Sequence, residues 1–254
     1  MFCSKKNTFQ LKNFSLLFAA SALLCSFVFS SCRVSNKQVI RMQRLEEGVQ
    51  NPTTIEELEE AIEKYQKRVQ DIQLAQTQTG VWYKILGTRY LDNKMYGEAL
   101  KCFQSALEYY PNNQNIYYYV GVCASYMSHA ALDFEARGTS EKKKNYLNLA
   151  ETSFLRALEI EPRYARALYS LSVLYVYELD ESEKAIPYLE KLLTIEKKHI
   201  DGMFVLARAY YVNYEFDKAV KMYDKIIENT KSQEKKQDAE NNKKIVLDSA
   251  YTEE

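Results

Sequence analysis

Residues 80–113 read GVWYKILGTRYLDNKMYGEALKCFQSALEYYPNN, a regular series of small and large apolar residues. Gly87, Ala99 and Ala106 are small, as residues must be where two antiparallel helices approach closely. The large residues that would fill the space around them are Tyr83, Leu86, Tyr90 and Phe103. Pro111 ends the second helix, because proline has no amide hydrogen and clashes with the preceding turn. The stretch therefore predicts a pair of antiparallel helices.

The same spacing returns three times further along the chain. A second unit, residues 114–164, is longer by 17 residues between Gly121 and Ala150. A third unit covers 165–199, with one extra residue in its turn, and a fourth covers 200–233. The equivalent residues include Tyr117, Val120, Phe154, Ala157 and Pro162, then Leu168, Leu171, Ser172, Tyr175, Ala185, Leu189 and Leu192, then Met203, Leu206, Ala207, Tyr210, Ala219, Tyr223 and Ile226.

This pattern resembles the tetratricopeptide-repeat (TPR) family, whose 34-residue unit carries aromatic, Leu, Gly, Tyr, Ala, Phe, Ala and Pro at these eight positions. All eight positions match in residues 80–113. The resemblance implies an all-α fold, a right-handed solenoid of about four helix-turn-helix units over residues 80–233, with a capping helix at each end. It also implies that the first helix of each pair lines a concave groove.

Two flanking segments are predicted as the caps. Over 54–79, Thr54 and Glu57 form a capping box that starts a helix. Its apolar stripe consists of Ile55, Leu58, Ile62, Tyr65, Val69 and Ile72. We expect this stripe to pack on the next helix; a coiled-coil dimer is the alternative. Over 234–254 a charged helix carries a sparse apolar face of Ala239, Ile245, Val246, Leu247 and Ala250.

The first 31 residues are predicted to be a targeting segment. Three lysines precede an apolar run from Phe14 to Phe29, which is the order of a signal peptide. Cys32 follows two serines and resembles a lipobox cysteine, which would carry the lipid. An uncleaved anchor and ordinary secretion are the alternatives. Residues 32–53 then form a tether, and the protein is expected in a bacterial cell envelope, periplasmic or at the surface.

Transferring the groove positions of the family residue by residue gives a candidate binding face. Its residues are Lys84, Thr88, Tyr118, Val122, Tyr126, Arg166, Tyr169, Val173, Tyr177, Phe204, Arg208 and Tyr211. Aromatic and Arg side chains are enriched at interfaces, so this face predicts a protein partner, a peptide or helix with acidic and apolar residues. The alternative is that several of these tyrosines pack between repeats. The two-carboxylate clamp of chaperone-binding TPR proteins is absent.

Composition excludes several other functions. Lys plus Arg equals Asp plus Glu, at 34 each, which argues against nucleic-acid binding. There are two His, and no phosphate loop or nucleophile elbow, so we expect no enzyme and no cofactor or metal. Cys102 and Cys123 are expected to be buried free thiols, with one disulfide as the alternative.

The sequence therefore predicts a membrane-anchored interaction adaptor. A carrier of small apolar ligands beside an envelope transporter, and an outward-facing adhesin, are the alternatives. The insertion in the second unit, residues 127–145, is predicted to extend both helices into a protruding hairpin, either a tolerated lengthening or a second docking surface.

Overall fold

The computed structural model describes residues 52–131 and 141–252, with side chains up to residue 250. The predictions for the signal peptide, Cys32, most of the tether and the tip of the insertion lie outside these residues. Over the described ranges the chain forms nine α-helices and no strand, so the predicted all-α class is confirmed. The helices are α1 (Ile55–Asp92), α2 (Tyr96–Tyr109), α3 (Gln114–Ala130), α4 (Glu141–Ile160), α5 (Ala165–Tyr177), α6 (Ser182–Ile195), α7 (Ile200–Val212), α8 (Phe216–Asn229) and α9 (Gln233–Thr252).

The chain divides into two compact units, residues 1–69 and 70–254, and α1 contributes to both. In the second unit each helix from α2 onward packs against the next one along the chain. The first helices of successive pairs also meet, because α5 contacts both α3 and α7. This arrangement of stacked helix pairs is the predicted solenoid of repeats.

A small residue on one helix faces a large ring on its partner in the first two pairs. A Cβ atom added to Gly87 would lie 2.9 Å from the ring of Phe103, and one added to Gly121 would lie 2.5 Å from the ring of Phe154. Both rings are almost completely buried. The glycines predicted from the spacing therefore permit the close approach of the paired helices.

The turns inside the pairs repeat one backbone geometry. Lys94 and Tyr214 have φ near 60°, in the left-handed region, and Asp180 has φ 55°. After Lys94 the amide of Met95 donates to the carbonyl of Tyr90 at 2.9 Å, which is the closing bond of a Schellman motif. The amide of Glu215 likewise donates to the Tyr210 carbonyl at 2.8 Å, so the first and fourth units end their first helix in the same way, although neither Lys94 nor Tyr214 is glycine. In the third unit the Glu181 amide donates one residue further back, to the Tyr175 carbonyl.

The start of α1 partly corrects the prediction for residues 54–79. The capping box is present: the hydroxyl of Thr54 accepts from the Glu57 amide at 3.2 Å, and the Glu57 carboxylate accepts from the Thr54 amide at 3.2 Å. However, the helix does not stop before the first repeat but continues to Asp92. Ile55, Leu58 and Ile62 are exposed, so no described helix covers this part of the stripe, in contrast to our expectation.

The C-terminal helix α9 packs against α8. Ala239 and Val246 are buried in the contact, whereas Ile245 and Leu247 are exposed. The predicted face was therefore too wide: residues seven apart share one side of a helix, and the neighbours of Val246 in sequence point about 100° away from it. Lysines fix the helix in place, because Lys235 Nζ lies 2.5 Å from Asp201 Oδ1 and Lys243 Nζ lies 2.6 Å from Asp224 Oδ1.

Two smaller points complete the architecture. Cys102 and Cys123 are buried and unbonded to each other, as predicted, and burial raises the pKa of the Cys123 thiol to about 12. None of the described helices is long and apolar enough to cross a membrane.

Candidate partner-binding groove

A hollow of about 340 Å³ opens between α3 and α5, the first helices of the second and third pairs. Residues four apart lie on one side of a helix, so each helix presents a short row of side chains to this hollow. The predicted groove residues that line it are Tyr118, Val122, Tyr126, Tyr169 and Val173. Five of the predicted groove residues on α3 and α5 therefore converge on one hollow.

The wall of the hollow at Tyr118 is an aromatic cluster. The ring of Tyr118 lies 5.5 Å from that of Tyr164, edge to face, and 6.0 Å from that of Phe154. The Tyr164 hydroxyl donates to the Asn115 side-chain oxygen at 2.9 Å, which ties the residue before α5 to α3. Tyr118 thus contacts aromatic rings of its own unit and also lines the hollow.

Two further tyrosines are held in position by neighbouring rings. Tyr126 stacks on Tyr96 with ring centroids 4.2 Å apart and planes within 8°. Its side chain is still exposed, so it can contact a ligand. The ring of Tyr169 lies 4.9 Å from that of His199. Burial raises the pKa of the Tyr169 hydroxyl, which can donate a hydrogen bond.

One end of the hollow carries a carboxylate that the sequence did not reveal. Glu178 follows the last residue of α5, and its oxygens lie 3.6 Å from His129 Nε2 and 3.7 Å from Lys143 Nζ. Among the described residues this carboxylate accepts no hydrogen bond within 3.5 Å. Its charge is thus already matched by Lys143, and its oxygens can accept a hydrogen bond from a donor on a bound partner.

His129 and Glu178 were missed because they lie beyond the family positions that were transferred. The insertion keeps α3 helical as far as Ala130, so His129 stands one turn past Tyr126 on the same helix. The predicted overrun of this helix was the signal that could have found it. Ser125 and Ser170 also line the hollow and add hydroxyl groups to its surface.

The remaining predicted groove residues do not line this hollow. Arg208 places its guanidinium 5.5 Å from the centre of the Tyr177 ring, between the third and fourth units. Tyr211 lies with its hydroxyl oxygen 3.2 Å from that of Ser249 on α9. The residues that do not line the hollow are Lys84, Thr88, Arg166, Tyr177, Phe204, Arg208 and Tyr211. The three predicted cations are among them, so the hollow itself is apolar and aromatic with an acidic end.

Comparison with known proteins identifies the family. Tetratricopeptide-repeat models match residues 82–113 and 165–199. A TPR repeat-containing protein of Borreliella burgdorferi is 30% identical over 215 residues, which cover 83% of this chain and 91% of the relative. The chain belongs to the tetratricopeptide-repeat family. TPR proteins mediate protein–protein interactions, so a protein-binding role follows from this membership.

Solved TPR structures share the fold at low sequence identity. TTC0263 of Thermus thermophilus superposes with a TM-score of 0.51 and 22% identity, over 65% of this chain and 79% of that one. YrrB, described as a TPR protein with an unusual peptide-binding site, gives 0.53 and 19%, over 67% and 76%. MamA of Desulfovibrio magneticus RS-1 gives 0.54 and 15%, over 69% and 92%. These likenesses support the solenoid of TPR repeats.

The described part of this TPR protein shows no group of three or more His, Cys, Asp or Glu side chains that could hold a metal ion. The hollow between α3 and α5 instead offers aromatic rings, two valines and one carboxylate. Such a surface binds by burying apolar area and accepting a few hydrogen bonds.

Proposed function

We propose that this TPR protein is an interaction adaptor that binds a peptide segment or helix of a partner protein in the hollow between α3 and α5. The observation that carries the proposal is the convergence of Tyr118, Val122, Tyr169 and Val173 on one open hollow. Aromatic side chains held by their neighbours bury large area at little entropic cost, which is how interface anchors act.

The chemistry of the hollow supports a more specific proposal for the partner segment. An aromatic or aliphatic side chain of the partner would fit between the tyrosines and valines. A basic residue or a backbone amide next to it would reach the carboxylate of Glu178. We therefore propose a partner segment that places a basic residue or a backbone amide beside an apolar side chain; the segment with acidic and apolar residues is the alternative.

Site-specific photo-crosslinking in cells tests this proposal. A photoreactive phenylalanine derivative at Tyr126 lies at the rim of the hollow, and the same group at Tyr214, which is exposed outside it, is the matched control. We expect a protein adduct from Tyr126 that is absent from Tyr214 and is lost when Val122→Glu places a charge in the hollow. An adduct of equal yield from both positions contradicts a binding role for the hollow.

The same experiment separates the adaptor from the small-ligand carrier. Mass spectrometry of a lipid or metabolite adduct at Tyr126, without any protein adduct, would support the carrier. The hollow is open to solvent over much of its surface, and pockets for small apolar ligands usually bury most of the ligand. This openness favours the adaptor.

We also propose that lipid on Cys32 holds the adaptor at a bacterial membrane. The proposal is supported by the order of lysines, apolar run and small residues that precede this cysteine. The N-terminal peptide of the mature chain should begin at Cys32 and carry the mass of acyl chains. A Cys32→Ser chain should lose that mass, and an unmodified Cys32 in the parent chain would contradict the anchor.

A further inference from the structure

The first unit has an exposed apolar face that the proposed groove does not use. On α1, the side opposite Gly80 and Gly87 carries Leu74, Trp82, Ile85 and Leu86, which are 69%, 60%, 43% and 44% exposed. We call this side, from Asp71 to Arg89, the edge face. Large apolar residues clustered in this way on a surface usually mark an interaction site.

The repeats show what this face is suited to contact. Trp82 and Arg89 stand at the third and tenth positions of their unit. At the third position the next two units have Ile116 and Ala167, and both are completely buried. The tenth position of the second unit is Cys123, which is also completely buried. The edge face is therefore the surface that a neighbouring helix covers in later units, and no helix among residues 70–131 and 141–252 covers it.

The spacing along the edge face is that of a coiled-coil seam. Asp71, Ala75, Gln78, Trp82, Ile85 and Arg89 are separated by alternating steps of four and three residues. The spacing of these positions is the same in both directions along the helix, because they are placed symmetrically about residue 80. Two such helices placed antiparallel would therefore present complementary rows to each other.

We propose that a second copy of this chain packs antiparallel against the edge face. In this register Asp71 of each copy faces Arg89 of the other. The twofold symmetry of the dimer therefore gives two such ion pairs. Ala75 faces Ile85, a small residue against a large one, and Gln78 faces Trp82. A parallel pairing would instead place Asp71 against Asp71, where like charges repel. Neither Asp71 nor Arg89 forms an ion pair with another described residue.

The expected assembly is a reversible dimer. The contact is isologous, so it closes after two copies and does not grow into a filament. It involves five turns of helix, about 27 Å, which is a small interface. Interfaces below about 1,000 Å² are generally weak, so the dimer should form in a concentration-dependent way.

Charge exchange tests the proposal and its register together. Sedimentation equilibrium is measured on the full chain in a density-matched detergent. Asp71→Arg and Arg89→Asp should each weaken the parent dimer about tenfold, because two attractive pairs become repulsive. An equimolar mixture of the two variants should dimerise again. The two positions are about 27 Å apart on one helix, so recovery cannot arise within a single chain. Lys101→Glu, an exposed charge reversal on α2, is the control and should dimerise like the parent.

A second variant tests the apolar part of the contact. Trp82→Glu should abolish the dimer and leave helicity and thermal stability unchanged, because this side chain is exposed in the single chain. A parent chain that is monomeric at every concentration would overturn the proposal. This result is expected if another segment of the chain, or another protein, covers the edge face. Single charge variants that dimerise like the parent, or a mixture that stays monomeric, would overturn it too.

Discussion

The first repeat and the third repeat place the same residue type in opposite environments. Leu86 and Leu171 both stand at the seventh position of their unit, yet Leu86 is 44% exposed and Leu171 is completely buried. The difference does not lie within the helix pair, since each leucine has its own partner helix. It lies in the presence of a preceding unit, which Leu171 has and Leu86 lacks. In a solenoid much of the burial therefore comes from the interface between neighbouring units.

The first prediction uses this pair of leucines. Leu171→Ala should lower the free energy of unfolding by about 2–5 kcal/mol, because it removes buried methyl groups and leaves a cavity. Leu86→Ala should lower it by less than about 1 kcal/mol, since water already reaches the side chain. Urea unfolding followed by circular dichroism, at a protein concentration where the chain is monomeric, measures both. Equal losses would show that the first unit is covered in solution.

The second prediction compares two glycines. Gly121→Ala should destabilise the protein by about 1–3 kcal/mol, because its Cβ would lie 2.5 Å from the buried Phe154 ring. Gly97→Ala should instead stabilise it by about 0.5–1 kcal/mol. Gly97 is helical, and a Cβ there would meet its nearest neighbour, Met127, at an ordinary 3.8 Å.

The same unfolding measurement checks both glycines. The two variants make the same chemical change, so the helix propensity gained is alike, and only the space around the new methyl group differs. A stabilising Gly121→Ala would mean that the second helix pair is packed less closely than described.

Packing could be predicted from the sequence where every unit has the same neighbours. It could not be predicted at the first unit, where the neighbours differ. Gly87, Gly121 and their partner rings follow directly from the spacing, because close helix packing requires a small residue opposite a large one. The exposure of Leu86 could not be predicted in this way, since the family pattern describes an internal unit and residue type alone does not reveal the end of an array.

The groove shows the same limit. Tyr118, Val122 and Tyr169 could be placed because they occupy standard positions on α3 and α5. Glu178 could not, because it follows the last residue of α5 and lies beyond the family positions that were transferred. Arg208 lies against Tyr177, another predicted groove residue, because a long side chain covers a nearby aromatic face when one is available.

The third prediction concerns tyrosines at the eleventh position. The Tyr175 hydroxyl donates to the Glu151 carboxylate of the preceding unit at 2.9 Å, and the side chain is almost completely buried. Tyr90 has no preceding unit, and its hydroxyl bonds to no described residue. Tyr175→Phe should cost about 1–2 kcal/mol, because a bond to a charged acceptor is lost. Tyr90→Phe should change stability by less than about 0.5 kcal/mol.

The pH dependence of the Tyr175 effect distinguishes the hydrogen bond from simple packing. Burial, followed by the bond to Glu151, raises the pKa of Tyr175 above its ordinary value near 10. The neutral hydroxyl is thus favoured in the folded state, and this stabilisation is complete below about pH 10 and is lost as the pH rises further. Urea unfolding at a series of alkaline pH values should show the parent losing stability faster than Tyr175→Phe, so that the two approach each other. A difference in unfolding free energy that stays constant with pH would contradict this. It would mean that the pKa of Tyr175 is the same in the folded and the unfolded chain.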